Sequence, residues 1–268
     1  MNAYLFLLFF VFSLISNQKA IIVGASTGIG REVVKTLARN HCDVGICSRQ
    51  IDKLNSLKEE CTSAQIFVRQ LDLTLIETIE PTLQKLAKEL GGLDLIVVNS
   101  GIWPDAQNGI MPPNKIFPFS QIQETIAVNV TGCTAALTFA LNYFLKQNHG
   151  HIVGISSLDA VRGNSEAPTY CASKAFMSLF LEGIRNKCLQ KHIPIAITEI
   201  RPGWIYTGGR EEDYATAYWI SPVTVAAHDI YNATITKPKV MYTPKRWAFI
   251  AFLLKITPDW IYNKLGGF

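Results

Sequence analysis

Tyr170 and Lys174 stand four residues apart in the run TYCASKAF, a spacing that places two side chains on one face of a helix. A phenol ionises near pH 10, too high for an efficient base at neutral pH, but a neighbouring ammonium stabilises the phenolate and lowers that value. Such a pair can pass a proton at cellular pH. Ser157 closes the run HIVGISS, thirteen residues before Tyr170. Its hydroxyl could donate to the oxygen that Tyr170 protonates. The neighbouring Ser156 is set aside, although a reversed strand face would exchange the two. By itself, a tyrosine and a lysine at this spacing more often form an ordinary surface pair, so other parts of the chain must decide.

A second group of residues lies near the start, in VGASTGIGRE, residues 23 to 32. Lys19 to Val23 has the apolar, β-branched character of a buried strand, and Arg31 to Asn40 has helical spacing, with Val33, Val34, Leu37 and Ala38 on one side. Gly24, Gly28 and Gly30 therefore occupy a strand-to-helix turn. Unpaired N–H groups and the positive end of the helix dipole favour an anion there, provided no Cβ blocks it. The spacing G-x-x-x-G-x-G differs from the usual G-x-G-x-x-G fingerprint, and a ligand-free turn would read the same way.

The whole chain bounds these readings. At 268 residues and 49% hydrophobic, it is long enough to bury a full core as one α/β domain. A net charge of +4 with scattered basic residues leaves no electrostatic footprint for nucleic acid. Cys42, Cys47, Cys61, Cys133, Cys171 and Cys188 show no metal-ligand spacing and read as small buried thiols in a reducing, cytoplasmic setting. Tyr4 to Ile15 is apolar apart from Ser13, too short for a bilayer span of about 20 residues. Residues 1–17 read as an interfacial anchor, a signal-like segment, or extra residues from a start placed too far upstream.

Strand-like and helical runs then alternate: Asp43–Cys47, Asp52–Cys61, Ile66–Gln70, Leu75–Leu90, Leu93–Val98 and a long helix Ser120–Lys146. They continue as His151–Ile155, Thr169–Leu189, Pro194–Ile200, Pro222–Thr236 and Lys239–Tyr242. This order predicts a doubly wound, mostly parallel seven-stranded sheet of Rossmann type, with helices on both faces and ligands beyond the carboxyl ends of the strands. Ser48 and Arg49 follow the second strand, and Arg49 stands nineteen residues after Gly30. Dinucleotide sites carry at about this distance an acid for a ribose hydroxyl or an arginine for a 2′-phosphate, so NADPH is preferred over NADH. An exposed arginine at a helix start is the plainer reading. Asp72 and Leu73 follow the third strand, and Asn99, Ser100 and Gly101 follow the fourth, small enough to let a backbone approach a flat ring. Asn129 puts an amide where the helical pattern expects apolar burial, or marks a local kink or cap.

Together these residues resemble the short-chain dehydrogenase/reductase family in its shorter branch, from about Gln18 to Ile235. The motifs fall in that family's order: GASTGIG, Asp72-Leu73, NSG, NVTG, Ser157 with YCASK, and RPGWIYT. The resemblance implies that Tyr170 is the acid/base, and that Lys174 binds the nicotinamide ribose and lowers the tyrosine's pKa. It implies that Ser157 positions the substrate carbonyl and that Asn129 holds a water in the proton relay. It places Gly24, Ser26, Thr27, Gly28, Ile29 and Gly30 on the pyrophosphate, Ser48 and Arg49 on the adenosine ribose, and Asp72 and Leu73 at the adenine. Asn99, Ser100 and Gly101 would support the cofactor loop, and Pro202, Gly203, Ile205 and Thr207 would lie along the nicotinamide. Three positions depart from the pattern: Val23 for threonine, Ser100 for alanine, and Thr27 where many NADPH users carry a basic residue. The last leaves Arg49, with Arg31 as a second candidate, to select NADPH.

The expected activity is NADPH-dependent reduction of a ketone or aldehyde, or its reversal on a secondary alcohol. The segments Ile102–Pro118 and Trp204–Ile220 mix aromatics with proline and few charges, which favours an apolar carbonyl or alcohol, or else packs a lid or an oligomer interface; the apolar tail and N-terminus together point to a lipid-like substrate. A cofactor-binding regulator without turnover is the alternative, and the presence of Ser157, Tyr170 and Lys174 weighs against it. The tail from residue 244, with Trp247 to Leu254 between Lys245-Arg246 and Lys255, suits either an interfacial helix or a helix packed on a partner subunit in a homodimer or homotetramer. With the apolar N-terminus, the first choice means peripheral membrane contact through both ends.

Overall fold

The structure, a computed structural model, describes residues 18–103, 118–208 and 219–265. The apolar stretch 1–17 and the middles of both substrate-bordering segments, 104–117 and 209–218, lie outside the described residues. The order is β1 (Lys19–Val23), α1 (Gly28–Arg39), β2 (Asp43–Ser48), α2 (Ile51–Glu60), β3 (Ile66–Gln70), α3 (Ile76–Glu89) and β4 (Leu95–Val98). Next come α4 (Phe119–Thr125), a π-helical segment (Ile126–Gly132), α5 (Cys133–Gln147), β5 (Gly150–Ile155), α6 (Pro168–Gln190) and β6 (Ile195–Pro202). The chain continues with β7 (Ile205–Tyr206), β8 (Ser221–Pro222), α7 (Val223–Thr236), β9 (Val240–Thr243), α8 (Trp247–Ile256) and α9 (Asp259–Tyr262).

Seven strands form one sheet in the order β3-β2-β1-β4-β5-β6-β9, and every neighbouring pair is parallel. Strand alternation distributes β1 between two apolar layers. Ile21 and Val23 join Leu83 and Leu86 of α3, Leu137 of α5 and Leu181 of α6. Ala20 and Ile22 join Val34 and Leu37 of α1, Leu57 of α2 and Ile230 of α7. Each buried Leu or Ile contributes on the order of 1.5–3 kcal/mol relative to exposure. Because both faces are covered, β4 reads LIVV with all four residues buried rather than alternating. The expected fold class is therefore the observed one.

Two boundaries differ from the sequence reading in ways that bear on the site. Helix α1 begins at Gly28, three residues before the apolar periodicity starts at Arg31. The glycine pair thus supplies the first helical turn itself. The expected single helix Ser120–Lys146 is helical throughout but widens to π geometry over Ile126–Gly132, and this turns Asn129 inward to 1% exposure. Such π segments in helices occur frequently at functional sites. The six cysteines are all free and buried.

The amino end of the sheet holds a buried His151, whose Nε2 lies 2.9 Å from Thr198 Oγ1. Burial first, then the Lys237 charge, lowers its pKa from 6.5 to about 4. The unfolded chain therefore takes up a proton as pH falls below 6.5, while the folded chain stays neutral until about 4. Stability conferred by the neutral ring should drop across that window, by about 2 kcal/mol between pH 7 and 5. Thermal melts over this range should show the loss, and His151→Gln should flatten it.

Candidate active site

The strand order reverses between β1 and β4, and there the two carboxyl ends diverge to leave a crevice. Asn99, just past β4, donates from Nδ2 to the Gly24 carbonyl at 2.9 Å, and its own N–H bonds to Val23 O at 3.0 Å. Gly24 has φ +88°, and a Cβ there would meet Ser100 Oγ at 2.5 Å. A Cβ on Gly30 would stand 2.1 Å from Gly24 O and 2.6 Å from Asn99 Nδ2. The first turn of α1 is therefore packed directly against the β1 loop. Ser26 and Thr27 border this crevice from the turn, Ser48 and Arg49 from the end of β2, and Asp72 and Leu73 from the end of β3. Ser100 and Gly101 close it from β4, around a cavity of about 270 Å³. Ile29 differs from these: its side chain packs into the apolar layer under α1.

The two arginines are not equivalent. Arg31 donates to the Lys53 carbonyl at 3.0 Å and pairs with Glu60, so it is committed to α2. Arg49 makes only a loose pair with Glu124 at 3.8 Å, both side chains about half exposed. Such a pair is worth little and opens easily. Arg31 also borders a cavity with Ser26, Thr27 and Gly28, while Arg49 borders the cavity lined by Ser48 and Asp72. Asp72 Oδ1 caps its own turn, accepting from Thr74 N–H at 2.9 Å and from its hydroxyl at 2.8 Å. Among the residues after β6, Thr207 borders a second cavity with Thr27 and Gly28. Pro202 and Ile205 are buried, and Gly203 lies beneath the Trp247 indole. Of the four residues expected along the nicotinamide, only Thr207 borders a described cavity.

Tyr170 and Lys174 sit one turn apart on α6, facing the end of β5. The Ser157 hydroxyl lies near enough to the Tyr170 phenol to favour its ionised form. Ser156 turns the other way, donating to Glu199 Oε1 at 2.6 Å. The strand's facing thus separates the two serines as the sequence reading chose. Lys174 Nζ donates to Ile155 O at 3.0 Å and lies 5.7 Å from the Tyr170 ring centre. Asn129 braces the loop after Gly101: its Oδ1 accepts from Ile102 N–H at 2.8 Å, and its Nδ2 donates to Ile102 O at 2.9 Å and to Ser173 Oγ at 3.1 Å. Both ends of that amide are engaged in bonds to the protein.

The expected lowering of the Tyr170 pKa is reversed. Burial pushes the phenol well above its usual value, and the Asp159 carboxylate raises it further, against the nearby Ser157 hydroxyl. Lys174 is itself lowered by burial, with the Cys133 and Asp159 side chains opposing the shift. Its ammonium is directed to the Ile155 carbonyl instead of the phenol oxygen.

Asp159 is the residue that sequence reasoning missed. Its Oδ2 accepts from Ser157 Oγ at 3.1 Å, its backbone N–H donates back to the same Oγ at 3.1 Å, and Asn164 Nδ2 approaches Oδ1 at 3.3 Å. Burial raises its own pKa, against these hydrogen bonds. Only its position two residues after Ser157 could have signalled it. Trp103, an aromatic of the segment Ile102–Pro118, stacks on Tyr170 with ring centres 5.8 Å apart and lies 6.2 Å from Trp204. Its indole N–H is buried without a partner.

A glycine cradle at a topological switch point, with a Ser-Tyr-Lys cluster beside it, defines a dinucleotide-dependent α/β oxidoreductase. Comparison with known proteins gives the family. The model of the short chain dehydrogenase family matches residues 18–217, and the chain belongs to this family of NAD(P)-dependent dehydrogenases and reductases. It is 33% identical over 216 residues to an uncharacterized oxidoreductase of Myxococcus xanthus, covering 80% of this chain and 81% of that one. An uncharacterized oxidoreductase of Mycobacterium tuberculosis is 32% identical over 198 residues, 71% of this chain and 74% of its own. Among solved structures, an alcohol dehydrogenase from Thermococcus sibiricus complexed with 5-hydroxy-NADP superposes with TM-score 0.71 at 20% identity, covering 85% of this chain and 96% of that one. A variant of ElxO with NADPH bound gives TM-score 0.72 at 23% identity, with 84% and 96% covered. At these identities the structural likeness concerns the fold.

Removing the Asp159 charge should ease ionisation of the phenol. Asp159→Asn is expected to move the ultraviolet phenolate absorbance of Tyr170 to lower pH. The moved component should vanish in the Asp159→Asn, Tyr170→Phe double variant.

Proposed function

We propose that the protein is an NADP(H)-dependent carbonyl reductase acting on a small apolar ketone or aldehyde, with the alcohol oxidation as its reverse. The observation that carries this reading is that Ser157, Tyr170 and Lys174 cluster beside the loop after β4, where a Cβ on the cavity-lining Gly101 would stand 2.9 Å from Lys174 Nζ. The cradle suits a pyrophosphate, because Gly24 and Gly30 pack with no room for a Cβ, and the first N–H groups of a helix lack partners within it and favour an anion. When bound, the nicotinamide cofactor supplies the hydride.

The chain's own residues do the rest. Ser157 holds the substrate oxygen through its hydroxyl, and Tyr170 delivers a proton to that oxygen. The phenol is protonated at cellular pH, as reduction requires, but burial makes it a weaker acid than a free tyrosine, so its proton transfer relies on the nearby Lys174 charge. Lys174 holds the nicotinamide ribose, and its charge stabilises the phenolate left after proton transfer. Asn129 fixes the loop from Gly101 to Trp103, which forms one wall. Arg49 meets a 2′-phosphate, favouring NADPH over NADH, with Ser48 beside it and Asp72 and Leu73 at the adenine. Trp103 and Trp204 line the substrate side with aromatic surface, which favours an apolar body beside the carbonyl.

Self-association is part of the same proposal, as a homodimer or homotetramer. Helices α4 and α6 leave Phe119, Phe176 and Leu179 exposed, with Phe176 stacked on Phe180. An apolar helix surface of this kind fits a second copy of the chain. By length and composition alone, Phe119–Gln147 could cross a membrane, but half of it is buried and α5 forms part of the core.

NADPH oxidation across a panel of apolar ketones and aldehydes tests the reading. Tyr170→Phe should lower turnover by roughly 10²–10⁴-fold while leaving NADPH binding intact. Arg49→Asp should weaken NADPH binding roughly tenfold to a hundredfold and spare NADH, as read by cofactor fluorescence. Tight NADPH binding with no turnover on any carbonyl would favour a regulatory role instead.

A further inference from the structure

The C-terminal helix α8 carries two apolar faces, and the fold uses only one. Trp247, Ala251 and Leu254 point inward and are buried. Phe249, Phe252, Leu253 and Ile256 fall at the spacing i, i+3, i+4, i+7 and form the opposite stripe, exposed at 62%, 56%, 38% and 58%. Helix α9 repeats the arrangement, with Tyr262 buried and Trp260 66% exposed. A helix apolar all round ordinarily lies within a core or against a lipid phase.

Charge distinguishes this surface from the α4 and α6 helices. Exposed Lys245, Lys255 and Lys264 flank the stripe, while the one acid of the segment, Asp259, is taken by Arg162. An outward apolar stripe with lysines beside it and a tryptophan at its end is the pattern of a helix lying in the plane of a membrane interface. A second copy of the chain would have to bring these like charges together across a shared two-fold contact.

The same tail holds the loops of the active site. Arg162, in the loop between Ser157 and Tyr170, donates to Leu254 O at 3.0 Å and Thr257 O at 2.5 Å, and stacks 4.0 Å from the Tyr262 ring centre. Tyr262 donates its hydroxyl proton to Gly163 O at 2.8 Å. Trp247 occupies the space a Cβ on Gly203 would need, 2.3 Å from its indole. The outward stripe is therefore rigidly joined to both loops that follow β5 and β6.

We propose that the α8–α9 surface docks on anionic lipid bilayers, with Phe249, Phe252, Ile256 and Trp260 seated at the boundary of headgroups and acyl chains. The active-site loops are then held next to the lipid surface. This surface claim stands apart from the reductase reading, which can fail without it.

Flotation of the full chain with vesicles tests it. Binding is expected to vesicles of phosphatidylcholine with about one third phosphatidylserine and to be weak on phosphatidylcholine alone. Each of Lys245→Gln, Lys255→Gln and Lys264→Gln should weaken binding about fivefold. The combined Phe249→Ser, Phe252→Ser, Ile256→Ser variant should lose binding while keeping the wild-type melting temperature. Tryptophan emission should shift to the blue on binding, and Trp260→Phe, which leaves the buried face intact, should abolish most of that shift even if the triple variant folds poorly. Absence of binding to either vesicle, or binding that survives the serine variant, would overturn the proposal. So would a serine variant that changes oligomeric state but not vesicle binding, since a second copy would then cover the stripe.

Discussion

The closest constraint in the molecule is where three backbone segments meet at the centre of the sheet. The Gly24 carbonyl lies where any side chain on Gly30 would have to be, and Asn99 ties that carbonyl to the end of β4. The loop after β1, the first turn of α1 and the loop after β4 are therefore one rigid unit. The crevice exists because β1 and β4 send their connections to opposite faces, and the glycines keep its floor open. Everything else in the site is measured from that floor: Arg49 from the next strand on one side, Ser157 from the next on the other.

Around this floor, electrostatics and burial act against each other. Burial raises the Tyr170 phenol and lowers the Lys174 ammonium, so both are drawn towards their neutral forms. The ion-stabilised phenolate that the Tyr-Lys spacing suggests is not the resting arrangement, because Lys174 is drawn to the Ile155 carbonyl and Asp159 adds a like charge. Asp159 also has first claim on the single hydroxyl proton of Ser157. The protonation state of this carboxyl thus bears on both the serine and the tyrosine, which makes a three-residue network of what the sequence suggested as a pair and a donor.

The C-terminal helix is structural on one side and unpartnered on the other. Its inward side closes over Gly203 and clamps the Arg162 loop, so it is part of the scaffold of the site. Among the described residues, the outward side has no such role.

The sequence by itself determined the strand and helix order, the seven-stranded parallel fold, the glycine turn and the one-turn spacing of Tyr170 and Lys174, because these follow from local periodicity, turn chemistry and fixed spacing along single elements. Adjacent side chains at a strand end must face opposite ways, but only the fold showed that Ser156 is the one that turns to Glu199. Only the tertiary structure decided that Arg31 is tied to Glu60 while Arg49 makes a loose pair with Glu124, that Asn129 is buried in a π-helical segment and braces the Ile102 loop, and that Asp159 stands against the Ser157 hydroxyl. It also decided which side of α8 is buried. A helix apolar on every face carries no periodicity to show which stripe meets the core, and a pKa depends on neighbours brought from distant parts of the chain and on the water that packing excludes.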